Sequence, residues 1–308
     1  MTKYLLCRPK GGWTDTLVVI GLCYEYAKKF NRKLIVDTQW VSGIRDDLSY
    51  YFDKRDNCDD FELFLSEDYK SLFKDLDFYP KFSTPHIPEF PPSINTQELE
   101  GPFYLQDKEK IIFDLRENYK EEVLVYQHWR TTGDPFNFLS RLKVNYNLAS
   151  EIRSALNNIA YLSKSFRSVM IRNTDYRTKY EPYYKTIQAE LGHDELLVIA
   201  SDDRGCIAFA ENFFSNPVIS FSMPPNSNIG SPLIAVSAYD QNSLQRIYNW
   251  TALKDLFICA SALKFYPTIL NAHDYSGNFI GENRMSGFID LTNKIFYNGD
   301  LRNTLING

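Results

Sequence analysis

The sequence predicts an α/β protein built of two Rossmann-like domains facing a central cleft. Apolar runs of strand length alternate with amphipathic stretches of helix length, first from Lys3 to Asp37 and again from Arg167 onward. The 308 residues are about twice the usual domain length of roughly 150. Acids, amides and an arginine cluster at the ends of the apolar runs, where open α/β sheets bind their ligands.

The elements follow in order. Residues 3–8 form a strand that ends in the turn Pro9-Lys10-Gly11-Gly12. A helix over 14–30 comes next, with Thr14 or Asp15 as N-cap. Leu17, Ile20, Gly21, Tyr24 and Ala27 make one stripe at helical spacing. Lys33 to Asp37 is the second strand, completing a βαβ unit whose helix start faces a glycine turn and suits an anion. From 40 to 120 the pattern loosens into short helices near 60–75, a proline-rich loop over 80–102, and strands near 110–113 and 122–127. Residues 134–146 and 147–163 have helical spacing. The second helix is capped by Asn147 and carries Leu148, Ile152, Leu156, Ile159 and Leu162 on its stripe.

The second series opens with a strand over 167–172 and a helix over 180–191. A strand over 196–200 runs into Ser201-Asp202-Asp203 and a helix over 204–214. A strand over 218–221, a loop over 222–242, a helix over 243–261 and a strand over 265–268 follow. The last helix starts at Ser286. The expected domains are 1–160 and 161–308, with the site in the cleft between them.

Composition narrows the function. Lys+Arg is 34 and Asp+Glu is 39, a net charge of −5 that argues against a chain built to grip nucleic acid or an anionic membrane. No run approaches the ~18 apolar residues of a membrane span. The N-terminal apolar stretch is too short for a signal peptide, so a cytoplasmic protein without a transmembrane segment is expected. Five scattered cysteines without a CxxC fit free thiols in a reducing compartment. The four histidines lie far from one another and from cysteine, so no metal site is expected. GxSxG and P-loop signatures are absent. Asp46-Asp47 and Asp59-Asp60 sit in polar, aromatic-rich stretches that look like surface. The aromatic residues, 15 % of the chain, are assigned mostly to the core.

Four strand ends carry candidate site residues. Arg172, in Arg172-Asn173-Thr174-Asp175, ends an apolar strand, where a guanidinium is costly unless it meets an anion; its planar fork suits phosphate. An Arg172–Asp175 salt bridge is the alternative. Asp202 and Asp203 can accept hydrogen bonds from a ribose or a base edge, or cap the next helix. Ser286-Gly287 offers backbone N–H donors to a phosphate or forms an ordinary cap. Gly11-Gly12 is the fourth.

At these residues the sequence resembles the fucosyltransferases of the α1,6/α1,2/protein-O-fucosyltransferase superfamily. Met170-Ile171-Arg172-Asn173-Thr174-Asp175 matches the α1,6 motif His-Val-Arg-Arg-Thr-Asp at the Arg, Thr and Asp. Ala200-Ser201-Asp202-Asp203 matches Ala-Thr-Asp-Asp, and Lys10-Gly11-Gly12-Trp13 matches the glycine-rich first turn. His128 with Gly133-Asp134-Pro135 resembles the family's His-Gly-Asp-Pro stretch, and Ser286-Gly287-Phe288 its serine-rich turn. The resemblance implies a GT-B-like fold and an inverting transferase that uses GDP-fucose with no cofactor or required metal. The N-terminal domain would take a glycan acceptor and the C-terminal domain the nucleotide sugar. Arg172 would bind the β-phosphate, Asp202 or Asp203 the guanine or ribose, and Gly11, Gly12 and Ser286 the pyrophosphate. Asn173 and Gly287 would lie beside the donor. Asp15, Asp134 and Asp175 are candidate bases. Met170 stands where the family has His and Asn173 where the α1,6 branch has a second Arg. Three alternatives follow: a transferase for another nucleotide sugar, a binding module without catalysis, and an oxidoreductase, the last lacking a GxGxxG.

Overall fold

The computed structural model describes residues 2–39, 43–80, 103–106, 109–129, 133–173, 178–224, 241–270 and 285–308. The proline-rich loop and most of the 222–242 loop lie outside the described residues. The chain divides into two compact units, Met1–Asn145 and Tyr146–Gly308.

The first unit is built on a parallel sheet of β1 (Lys3–Lys10), β2 (Arg32–Val36), β4 (Phe61–Glu62), β5 (Phe78–Tyr79) and β8 (Val123–Trp129), in the order β4-β2-β1-β8-β5. Leu5, Leu6 and Cys7 of β1 and Val123, Leu124 and Val125 of β8 are fully buried, as central parallel strands covered on both faces require. Helix α1 (Trp13–Lys29) crosses from β1 to β2 and buries Leu17, Ile20, Tyr24 and Ala27. It starts earlier than the expected Thr14 or Asp15 cap. Gly12 is the N-cap, makes no side-chain cap bond, and its carbonyl accepts the first helical bond from Thr16 N at 2.9 Å. At Gly21 a Cβ would stand 2.8 Å from the Asp134 carbonyl oxygen, so glycine permits the backbone of 134–135 to lie against the helix.

The expected helix over 134–146 is a single turn, α3 (Phe136–Leu139), followed by β9 (Leu142–Val144), which pairs antiparallel with β3 (Phe52–Lys54). Phe138, Leu139 and Leu142 fit helical spacing, while Leu142 and Val144 alternate as in a strand. The distant partner β3 decides the conflict. Elsewhere α2 (Glu67–Phe73) is capped by Ser66, and β6 (Phe103–Gln106) pairs antiparallel with β7 (Glu109–Ile112).

In the second unit β10 (Phe166–Ile171), β11 (Leu196–Ser201), β12 (Val218–Ile219) and β13 (Lys264–Pro267) are parallel, in the order β12-β11-β10-β13. The chain runs outward from β10 to β11 to β12, then returns to place β13 on the other side of β10. The strand order reverses at β10/β13, the kind of point where open sheets form a crevice beyond their carboxyl ends. Every residue of β11 is buried. Helices α5 (Glu181–Glu190), α6 (Arg204–Phe213), α7 (Gln241–Ala260) and α8 (Gly287–Tyr297) follow the strands, and α9 (Gly299–Asn307), absent from the sequence expectation, closes the chain. Helix α4 (Tyr146–Leu162), most of which the sequence placed on the N-terminal side of its 160/161 boundary, packs within this unit. Lys254 on α7 pairs with Glu151 at 3.4 Å, and Arg153 donates to the Ile306 carbonyl at 2.8 Å. Leu162, expected on its buried stripe, is exposed. Among the described residues no helix is long and apolar enough to cross a membrane.

Candidate functional site

The carboxyl ends of β10, β11 and β12 are joined by one chain of hydrogen bonds. Arg172 and Asn173 leave β10, and Asp202 and Asp203 leave β11. The backbone N–H of Asn173 donates to Asp202 Oδ1 at 2.7 Å, and its side-chain Nδ2 donates to Asp203 Oδ2 at 2.7 Å. Asn173 Oδ1 accepts from the N–H of Thr178 at 3.1 Å, and the Thr178 hydroxyl donates to the Arg172 carbonyl at 2.7 Å. Thr178 thus closes the loop that starts at Arg172, whose side chain is half-buried. Asp175 lies outside the described residues.

Asp203 is the N-cap of α6, accepting from Gly205 N at 2.7 Å. Both of its carboxylate oxygens are therefore engaged within the fold, as the capping alternative anticipates. The Cys206 thiol donates to the same carboxylate at 3.5 Å; burial and the Asp203 charge raise its pKa, which keeps it a protonated structural thiol. All five cysteines are free and buried.

The chain of bonds continues beneath β11. Asp203 N donates to Ser201 Oγ at 3.1 Å, Ser201 N donates to Ser222 Oγ at 3.0 Å, and the Ser222 hydroxyl donates to Asp255 Oδ2 at 2.6 Å. Asp255 lies on α7 among core residues, and burial lifts its carboxyl to about 7, against the pull of the Ser222 hydrogen bond and the Lys254 charge. It is not among the residues to which the sequence motifs point. The signal was an acid between Leu253 and Leu256-Phe257 on an apolar helix face.

Helix α8 reaches the same edge of the sheet. Ser286 caps it, accepting from Ile289 N at 3.3 Å. The Thr292 hydroxyl meets Met170 Sδ at 3.6 Å, and one turn later Phe296 packs on Phe265 near the start of β13. The helix runs antiparallel to the strands, so Ser286 and Gly287 lie at their carboxyl end. The structure therefore brings Arg172, Asn173, Asp202, Asp203, Ser286 and Gly287 to one edge of the second unit.

Gly11 and Gly12 belong to the first unit, at the end of β1. Gly11 has φ +96°, and its carbonyl accepts from Gly43 N at 2.6 Å. A Cβ on Gly11 would stand 2.7 Å from Asp15 Oδ2. The start of α1 thus already holds a carboxylate, which would repel a second anion. Beside this turn, the register that pairs Cys7 with Val36 sets Arg8 against Asp37 in an ion pair of 2.9 Å, each side chain 1 % exposed. Asp46, expected at the surface, is buried and accepts from the Tyr51 hydroxyl at 2.9 Å. Asp134 accepts from Phe136 N at 2.9 Å, and His128 lies in β8. Among the described residues no group of three His, Cys, Asp or Glu side chains comes together as a metal site.

No protein-family model and no curated protein matches the chain. Solved structures do. The chain is similar to the fucosyltransferase NodZ from Bradyrhizobium, with a TM-score of 0.59 over 95 % of this chain and 93 % of that one, at 12 % identity. It is similar to NodZ α-1,6-fucosyltransferase soaked with GDP-fucose, with a TM-score of 0.59 at 11 % identity over 95 % and 92 % of the two chains. It is also similar to the same enzyme co-crystallised with GDP, with a TM-score of 0.58 at 12 % identity over the same shares. At such identity the likeness is one of architecture: the chain has a fucosyltransferase-like fold.

Proposed function

We propose that the chain is an inverting, metal-independent glycosyltransferase of GT-B-like arrangement that moves fucose from GDP-fucose to a glycan acceptor, such as a capsule or O-antigen oligosaccharide. The observation that carries this reading is the shared edge of Arg172, Asn173, Asp202, Asp203, Ser286 and Gly287 in a sheet whose fold neighbours include a structure soaked with GDP-fucose.

Departure of GDP builds negative charge on the β-phosphate as the sugar becomes oxocarbenium-like. Arg172 answers that charge with its guanidinium, and the Ser286-Gly287 helix start adds N–H donors. Asp202 takes the ribose or base; Asp203 chiefly holds Asn173 and α6. The Gly11-Gly12 turn, with Asp15 against it, suits an acceptor hydroxyl better than a pyrophosphate. Proton removal from that hydroxyl falls to a carboxylate, for which Asp15, Asp134 and Asp175 are the candidates; Asp134 also accepts the Phe136 N–H.

A thermal-shift screen of GDP, UDP, CMP and TDP and their sugars tests the donor. A ligand bound by the native state alone raises the melting temperature. GDP and GDP-fucose are expected to do so, and stabilisation by UDP or CMP with none by GDP overturns the reading.

A further inference from the structure

We propose that Asp255 is a positioning residue for this site: acting through Ser222, it sets the backbone of Ser201 and hence the placement of Asp202, Asp203 and Asn173. The inference rests on the reading of this edge as the donor side.

The geometry is continuous. Asp255 accepts from the Ser222 hydroxyl at 2.6 Å. A hydroxyl oriented by that bond presents its lone pairs to the N–H of Ser201, which donates at 3.0 Å. Ser201 Oγ in turn receives the N–H of Asp203 at 3.1 Å. The two carboxylates that follow hold Asn173 by its backbone and its amide. An acid inside an apolar helix–sheet interface is unfavourable unless it is used. Asp255 stands on α7 with Lys254, which Glu151 of α4 engages, and with the buried Cys259 one turn on. Ser222 is the partner that links it to the strand-end loops.

Three variants decide this. Asp255→Asn keeps an oxygen acceptor for Ser222, Asp255→Leu removes it while keeping the branch at Cγ, and Ser222→Ala breaks the chain from the half-buried side. The first readout is amide hydrogen exchange in the ligand-free protein at Ser201, Asp203 and Asn173. Exchange is expected to rise about tenfold in Asp255→Leu and Ser222→Ala, and to stay near the wild-type rate in Asp255→Asn. The second readout is GDP affinity, expected to fall about tenfold in the same two variants. The double variant Asp255→Leu/Ser222→Ala should lose no more than either alone. Equal exchange in Asp255→Leu and Asp255→Asn, or losses that add in the double variant, overturns the proposal. Failure of the wild-type chain to bind GDP instead overturns the donor reading, while the exchange data still decide the role of Asp255.

Discussion

The amide nitrogen of Asn173 lies 2.7 Å from Oδ2 of Asp203, and this contact ties the end of β10 to the end of β11. A charge-assisted hydrogen bond across two adjacent parallel strands fixes the spacing of whatever the two loops hold. Asn173→Ala removes it together with the Thr178 N–H bond to Asn173 Oδ1, and leaves the backbone bond to Asp202. The expected loss is about 1–3 kcal/mol of unfolding free energy, measured by urea titration. Asn173→Asp sets a like charge against Asp203 and should destabilise more. A neutral outcome for both means the clamp does not exist in solution.

Asp255 makes stability depend on pH in a direction opposite to most acids. Its native carboxyl titrates at about 7 because of burial, whereas an unfolded Asp titrates near ~3.9. Between these values the native state holds a proton that the unfolded state has released. The contribution is therefore full below the unfolded value and is lost as pH rises through the native one. Melting curves taken from about pH 4 to about pH 8 should fall more steeply for the wild type than for Asp255→Asn. Parallel profiles contradict the assignment.

Gly11 and Gly12 offer an internal control. Gly11 combines a positive φ with the Asp15 carboxylate where a Cβ would stand, whereas a Cβ on Gly12 meets nothing within 4 Å. Gly11→Ala should destabilise by about 1–3 kcal/mol, and Gly12→Ala by no more than ~0.5 kcal/mol. Adding Asp15→Ser to Gly11→Ala should recover the steric part of the loss and leave the backbone part. Chemical denaturation of the four proteins reads both.

Local signals in the sequence marked most of this architecture. The β1-α1-β2 unit, β10, β11 with α6, and the Ser286 cap follow from apolar periodicity, glycine turns and capping residues, all properties of neighbouring residues. What escaped depends on distant partners. Residues 142–144 become a strand because β3 pairs with them, and the Tyr51 ring that donates to buried Asp46 packs edge-on against Trp13, far off in the sequence, at 5.1 Å. Arg8 and Asp37 were both legible at strand ends, but only sheet register sets them side by side. In the candidate site, sequence order pointed to Arg172, Asp202, Asp203 and Ser286. It did not reveal that Asn173 spans two loops or that Asp255 lies beneath them, since those contacts join residues about 30 apart.

The most direct test of the account is consumption of GDP-fucose by the purified chain and by Arg172→Ala, with and without a panel of oligosaccharide acceptors, followed as GDP release. The account predicts acceptor-dependent turnover by the wild type that falls about a hundredfold or more in the variant, with the melting temperature unchanged. Full turnover by Arg172→Ala, or GDP-fucose left intact by the wild type with every acceptor, contradicts it.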